Sequence, residues 1–227
     1  CLRGGFDNGD KENGSVVVAI LPRAVHAATQ LEKSKSSKAH ERINVLYKSV
    51  WGMLVERASL KACKGDACKE SLLQLVQHFA EMKGVGGEQC RAMEVLNEGK
   101  QLLKDEISQL ALNCSIAVAS IDDCEDELLN NIAEEIGGGV ENAQVARAAT
   151  KLCSCLALRT PRKATECMLA CLEQVARALK ASSLALQSLR ICGDAWSQKK
   201  GGTQRAVSLY RFALCHAKEK PELVSTI

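Results

Sequence analysis

The chain has 227 residues, of which 30 are basic and 27 acidic, and its net charge is +3. This length suffices for one good core or for two lobes that share helices. The basic residues are interspersed with acidic ones and only 3% of the residues are aromatic, so the composition argues against nucleic-acid binding. The longest apolar run, residues 16–21, is too short to cross a bilayer.

The first half of the chain predicts a flexible arm followed by helices. Residues 1–15 are charged and glycine-rich, which predicts the arm. Apolar residues at helical spacing predict helices from about residue 22 and over about 39–62, 69–83 and 88–112. Ser120, followed three residues later by an acid, predicts the cap of a fifth helix, which ends at the glycines of residues 137–139.

The second half predicts longer helices. One covers about residues 141–158, and Thr160 with Pro161 is predicted to cap the next, which meets no break until Gly193. A linker at residues 197–202 leads to a last helix at about 203–217. No segment has the alternation and turn residues of a β-hairpin.

The sequence therefore predicts an all-α protein, a disulfide-rich bundle of long antiparallel helices. We expect a flexible N-terminal arm at residues 1–15 and a first helical lobe at 16–136. A second helical lobe at 140–217 and a C-terminal tail at 218–227 would complete the chain.

Cysteine is the most unusual component of the sequence. An even number of cysteines favours disulfide bonds and an oxidising compartment. The alternatives are a metal cluster, for which the spacings do not form the usual paired pattern, and reduced core cysteines. The twelve predicted disulfide residues are Cys1, Cys63, Cys68, Cys90, Cys114, Cys124, Cys153, Cys155, Cys167, Cys171, Cys192 and Cys215.

In the segment 167–192, residues spaced seven apart form three adjacent columns along a helix, and almost all of these residues are apolar. This pattern predicts the broad apolar face of one long bundle helix. Along an unbroken helix Cys171 and Cys192 would lie roughly 30 Å apart, too far for a bond. The columns are Met168, Val175, Ser182 and Leu189; Leu172, Leu179 and Leu186; and Cys171, Ala178, Ala185 and Cys192.

A helical hairpin is predicted to join two pairs of cysteines. If the chain reverses at residues 160–161, Cys155 comes level with Cys167, and Cys153 with Cys171. Each bond would close a short loop and stabilise the fold by about 2–4 kcal/mol.

No catalytic or phosphate-binding motif is present, so we predict no enzyme, catalytic residue, metal or cofactor. The acidic segment 122–127 lacks the spacing and glycine of a calcium loop and suits the start of a helix. Glycosylation sequons predict Asn13 and Asn113 as acceptors. The loops at residues 83–87, 137–139 and 197–202 are candidates for recognition or plain connections.

These features give the chain a resemblance to the surface glycoproteins of parasitic protozoa, especially trypanosome surface antigens and receptors. The features are the cysteine hairpin at residues 153–171, the long helix to Cys192 and the sequon at Asn13. The resemblance implies a coat protein, receptor or immune target. A lipid anchor or transmembrane helix outside residues 1–227 would hold it at the cell surface.

We therefore expect a non-enzymatic, extracellular helical ectodomain. It would be secreted or displayed at the cell surface and would bind an extracellular protein or ligand, or shield the membrane. The alternative is a secreted carrier or inhibitor that holds a small apolar ligand between its helices.

Overall fold

The computed structural model describes residues 66–84, 89–137, 140–162, 164–179 and 182–219. Within these ranges the structure contains helices and no strand, so the prediction of an all-α fold is confirmed. The predicted arm, most of the first two predicted helices and residues 220–227 of the predicted tail lie outside the described residues, whereas residues 218–219 of that tail belong to the last helix. The single residues Arg23, Ala24, His26, Ala27, Gln30, Arg42, Val45 and Ser49 are also described and are helical.

The described helices fall into two compact units, divided between Ser108 and Gln109. The predicted lobe boundary at residues 137–139 lies inside the second unit, because the helices on either side of it contribute to one core. The helices are α1 (Asp66–Gly84), α2 (Gln89–Leu102), α3 (Glu106–Ala119), α4 (Asp126–Ile136), α5 (Ala143–Arg159), α6 (Glu166–Ala178), α7 (Ser183–Ser197) and α8 (Thr203–Glu219).

In the first unit α1 packs against α2. The predicted apolar stripe of α1 is buried at Leu72 and Val76, and Leu96 of α2 is also fully buried. The single helix predicted at residues 88–112 is wrong, because the structure divides it into α2 and α3. Asp105 lies at the break, where its Oδ1 accepts a hydrogen bond from the backbone N–H of Ser108 at 2.9 Å.

Two predicted helix caps are also wrong. Ser120 donates its hydroxyl to the carbonyl of Ile116 at 2.9 Å and follows the end of α3 rather than capping α4. Thr160 likewise donates to the carbonyl of Leu156 at 2.8 Å and follows the end of α5. The N-cap of α6 is Thr165, whose hydroxyl accepts from the third amide of the helix at 3.1 Å.

The unbroken helix predicted at residues 167–192 is two helices. α6 ends at Ala178, and α7 begins after Ser182, whose hydroxyl accepts from the N–H of Ala185 at 3.1 Å. The two helices pack against each other. The Sγ atom of Cys192 therefore lies 3.4 Å from the carbonyl oxygen of Leu169 in α6, where an unbroken helix would hold it far away.

The core of the second unit is built by α4 to α8, with residues of α3. Most members of the three predicted columns are buried in it; the exceptions are Leu179, which is half-buried, and Ser182, which is exposed. α7 and α8 approach closely at Gly193, where a Cβ atom would meet the ring of Tyr210 at 2.7 Å. None of the helices described combines the length and hydropathy that crossing a membrane requires.

Candidate functional site

All cysteines whose side chains the structure describes are free thiols. The predicted bonds of Cys153 with Cys171 and of Cys155 with Cys167 are therefore not confirmed. Cys68 and Cys90 lie in α1 and α2, and Cys1 and Cys63 lie outside the described residues. The buried thiols are Cys114, Cys153, Cys171 and Cys192; Cys124, Cys155 and Cys167 are half-buried, and Cys215 is exposed.

Three cysteines from separate segments lie close enough to Cys171 to affect its thiol electrostatically. Burial raises the pKa of the Cys171 thiol, and the charges of Cys114, Cys124 and Cys153 raise it further. These neighbours belong to α3, to the segment between α3 and α4, and to α5. Cys114, Cys153 and Cys171 are fully buried in one core. We call these four residues the cysteine group.

The buried thiols should react slowly in the reduced, folded protein. Burial raises the pKa of Cys114 to about 12 and that of Cys153 to about 11, and only the thiolate reacts with iodoacetamide. At about pH 8 we expect exposed Cys215 to be labelled before Cys114 and Cys153, which react only after denaturation. Peptide mass spectrometry measures the order. Fast labelling of Cys114 in folded protein would contradict the buried position.

A cavity of about 410 Å³ opens in the second unit beside the cysteine group. Its lining combines apolar side chains with acidic ones, and Arg159 forms an ion pair with Asp122 there. The acidic segment 122–127 was predicted to be the start of a helix, but α4 begins only at Asp126. Most of this segment instead forms part of the cavity wall. The lining residues are Ile121, Asp122, Cys124, Glu125, Asp126, Leu129, Arg159, Thr165 and Met168.

A buried carboxylate links α6 to α8. Glu173 is 7% exposed, and its Oε1 accepts a hydrogen bond of 3.1 Å from Nε of Arg177, one turn along α6. Nη2 of Arg177 lies 3.0 Å from the same oxygen. Oε2 accepts a hydrogen bond of 2.9 Å from Nε of Arg205 in α8. One carboxylate therefore holds two guanidinium groups.

Each of these arginines also stacks on an aromatic ring. The guanidinium carbon of Arg177 lies 4.3 Å from the centre of the Phe212 ring, and that of Arg205 lies 4.3 Å from the centre of the Trp196 ring. These contacts are in the range of cation–π interactions. Together with Glu173 they form what we call the arginine–aromatic cluster, which joins α6, α7 and α8.

The arginine–aromatic cluster was not predicted from the sequence. Its one local signal is the pair Glu173 and Arg177, an acid and a base one helical turn apart. Arg205 is 32 residues from Glu173, and no local pattern connects them. The loop at residues 197–202, for which recognition and a plain connection were both open, lies next to the cluster, since it connects Trp196 with α8.

The structure describes one of the two predicted glycosylation acceptors. Asn113 is 8% exposed and lies within α3, so a glycosylating enzyme could not reach it in the folded chain. Asn13 lies outside the described residues, and its use stays a prediction. In the part of the chain that the structure describes, no three His, Cys, Asp or Glu side chains are arranged to hold a metal ion.

Searches for similar proteins found no protein family, curated protein or solved structure that matches the chain.

Proposed function

We propose that this chain is a non-enzymatic helical ectodomain, secreted or held at the cell surface. It binds an extracellular protein or ligand or shields the membrane, as the resemblance to trypanosome surface glycoproteins implies. Its helices form an antiparallel bundle that disulfide bonds fasten in an oxidising compartment. The rigid bundle presents the connecting segments and the arginine–aromatic cluster to the surroundings.

The observation that carries this proposal is the convergence of cysteines around Cys171. Three further cysteines, from three segments distant in sequence, come near one buried side chain. A pair formed among them would link helices through the core and restrict the unfolded chain. Such links persist in extracellular compartments and are rare in the cytosol.

Peptide mapping without reductant tests the proposal. After refolding in a glutathione redox buffer, the chain should contain a disulfide bond from Cys171 to Cys114, Cys124 or Cys153. The two thiols transfer two electrons and two protons to glutathione disulfide, which becomes two molecules of glutathione. Cys171→Ser should remove the linked peptide, whereas Cys215→Ser, at an exposed thiol, should leave it unchanged. Complete alkylation of the cysteine group after refolding would contradict the proposal.

A second observation favours the alternative, a secreted carrier or inhibitor. The cavity of about 410 Å³ is within the usual range for small-molecule sites. Its apolar lining suits the apolar part of a ligand, and Glu125 and Asp126 would favour a ligand that also has a cationic group. Native mass spectrometry of protein purified from its own source would distinguish the two functions. A stoichiometric bound molecule favours the carrier, and its absence favours the ectodomain.

A further inference from the structure

We propose that Arg177 and Arg205 form a binding site for a sulfate or phosphate monoester group, at the surface where α6 meets α8. The two guanidinium groups contact different oxygens of Glu173, so they lie on either side of its carboxylate. This proposal goes beyond the proposed function, because it identifies a ligand class and the residues that bind it.

The positive charges of the cluster exceed its negative charge. Glu173 balances one of the two arginine charges, and within the described residues no other acidic side chain forms an ion pair with Arg177 or Arg205. The cluster therefore has a net charge of about +1 in a partly buried place, where electrostatic attraction is stronger than in bulk water. One arginine would be enough to neutralise Glu173. The positive charge of the second arginine is therefore available to attract an external anion.

Both guanidinium groups are held in place by the protein. Each lies over an aromatic ring, Phe212 or Trp196, and donates a hydrogen bond to Glu173, so two kinds of contact restrict its movement. Ordering a flexible side chain normally reduces affinity. Here the protein has already ordered both side chains, so an anion can bind without that loss.

Both arginines are accessible to a ligand. The side chains of Arg177 and Arg205 are 29% and 42% exposed. Arg205 donates to Glu173 through Nε, so its terminal amino groups remain as donors, and Arg177 retains Nη1. Guanidinium groups match the geometry of sulfate and phosphate oxygens and bind them through paired hydrogen bonds. Three terminal oxygens allow one ester group to accept paired hydrogen bonds from at least one arginine while also accepting from the other, whereas a carboxylate that bridges both arginines has only one oxygen for each.

Isothermal titration calorimetry with four probes tests the proposal. Glucose 6-sulfate and glucose 6-phosphate should both bind saturably, and uncharged glucose should show no binding. Glucuronate, which carries a carboxylate, should bind at least about fivefold more weakly than the esters. If only one of the two esters binds, the proposal that the site accepts both sulfate and phosphate monoesters is wrong. If glucuronate binds as tightly as the esters, the ligand class is wrong.

Variants locate the site. Arg205→Gln should weaken ester binding by at least about tenfold, because it removes a charged, oriented donor group. Arg205→Lys keeps the charge but loses the fork of donors, so it should also weaken binding, by about threefold or more. Arg211→Gln removes an exposed arginine from the same helix and should change affinity by less than about twofold.

Circular dichroism and the thermal midpoint of each variant establish that it is folded before titration. Equal losses for Arg205→Gln and Arg211→Gln would overturn the proposal, because they would indicate attraction by the general charge of α8. Unchanged binding in folded Arg205→Gln would overturn it as well. If Arg205→Gln does not fold, the result of Arg205→Lys decides.

Discussion

Replacement of Leu172 by alanine is expected to lower the free energy of unfolding by about 2–5 kcal/mol. Leu172 is 0% exposed and lies in α6, which packs against α4, α5 and α7. Truncation removes buried apolar surface and leaves a cavity that several helices would have to move to fill. Urea unfolding followed by circular dichroism measures the loss.

Leu158→Ala is the matched control. Leu158 lies near the end of α5 and is 77% exposed, so its truncation should change stability by less than about 0.5 kcal/mol. Leu179 follows the end of α6 and is half-buried, so its truncation should have an intermediate effect. Equal losses at Leu158 and Leu172 would show that the core has been assigned to the wrong face of the helices.

Replacement of Gly202 by alanine is expected to cost about 3 kcal/mol. Gly202 lies just before α8, and a Cβ atom there would be 2.1 Å from the carbonyl oxygen of Trp196. A flexible side chain could move aside, but this obstacle is backbone at the end of α7. The turn between α7 and α8 would have to open. Thermal and urea unfolding measure the effect.

The neighbouring glycine provides the comparison. Gly201 has φ of 82°, and a Cβ atom there would meet no atom within 4 Å. Gly201→Ala should therefore cost only the strain of a left-handed backbone, about 1–2 kcal/mol. A larger loss at Gly201 than at Gly202 would mean that backbone conformation, rather than the close approach to Trp196, limits this turn.

The buried stripes were predictable because helical periodicity reports which residues face a core. The same periodicity concealed the break between α6 and α7. Both helices bury a face in one core, so the repeat continues through Ser182 although the helix does not. The available signal was Ser182 itself, since serine is favoured as an N-cap and disfavoured within a helix.

The choice of cap was harder to predict. Thr160 and Thr165 are both good cap residues, and Pro161 favoured the first. The structure uses Thr165, whose hydroxyl reaches the amide of Met168. The arginine–aromatic cluster was beyond the sequence, because its central contact joins Glu173 to Arg205 across separate helices and depends on how those helices pack.

The break between α6 and α7 also affects the order of events in folding. It lets Cys192 meet Leu169 across a chain separation of 23 residues, and Cys153 meets Ser188 across 35. Helical folds, in which most contacts join residues close in sequence, form in about microseconds to milliseconds. Disulfide formation takes about seconds to hours. The helices of the second unit should therefore pack before most thiols are oxidised. Buried thiols then react slowly, when the core opens locally, and the pairs that form should be those that the packed helices hold close together.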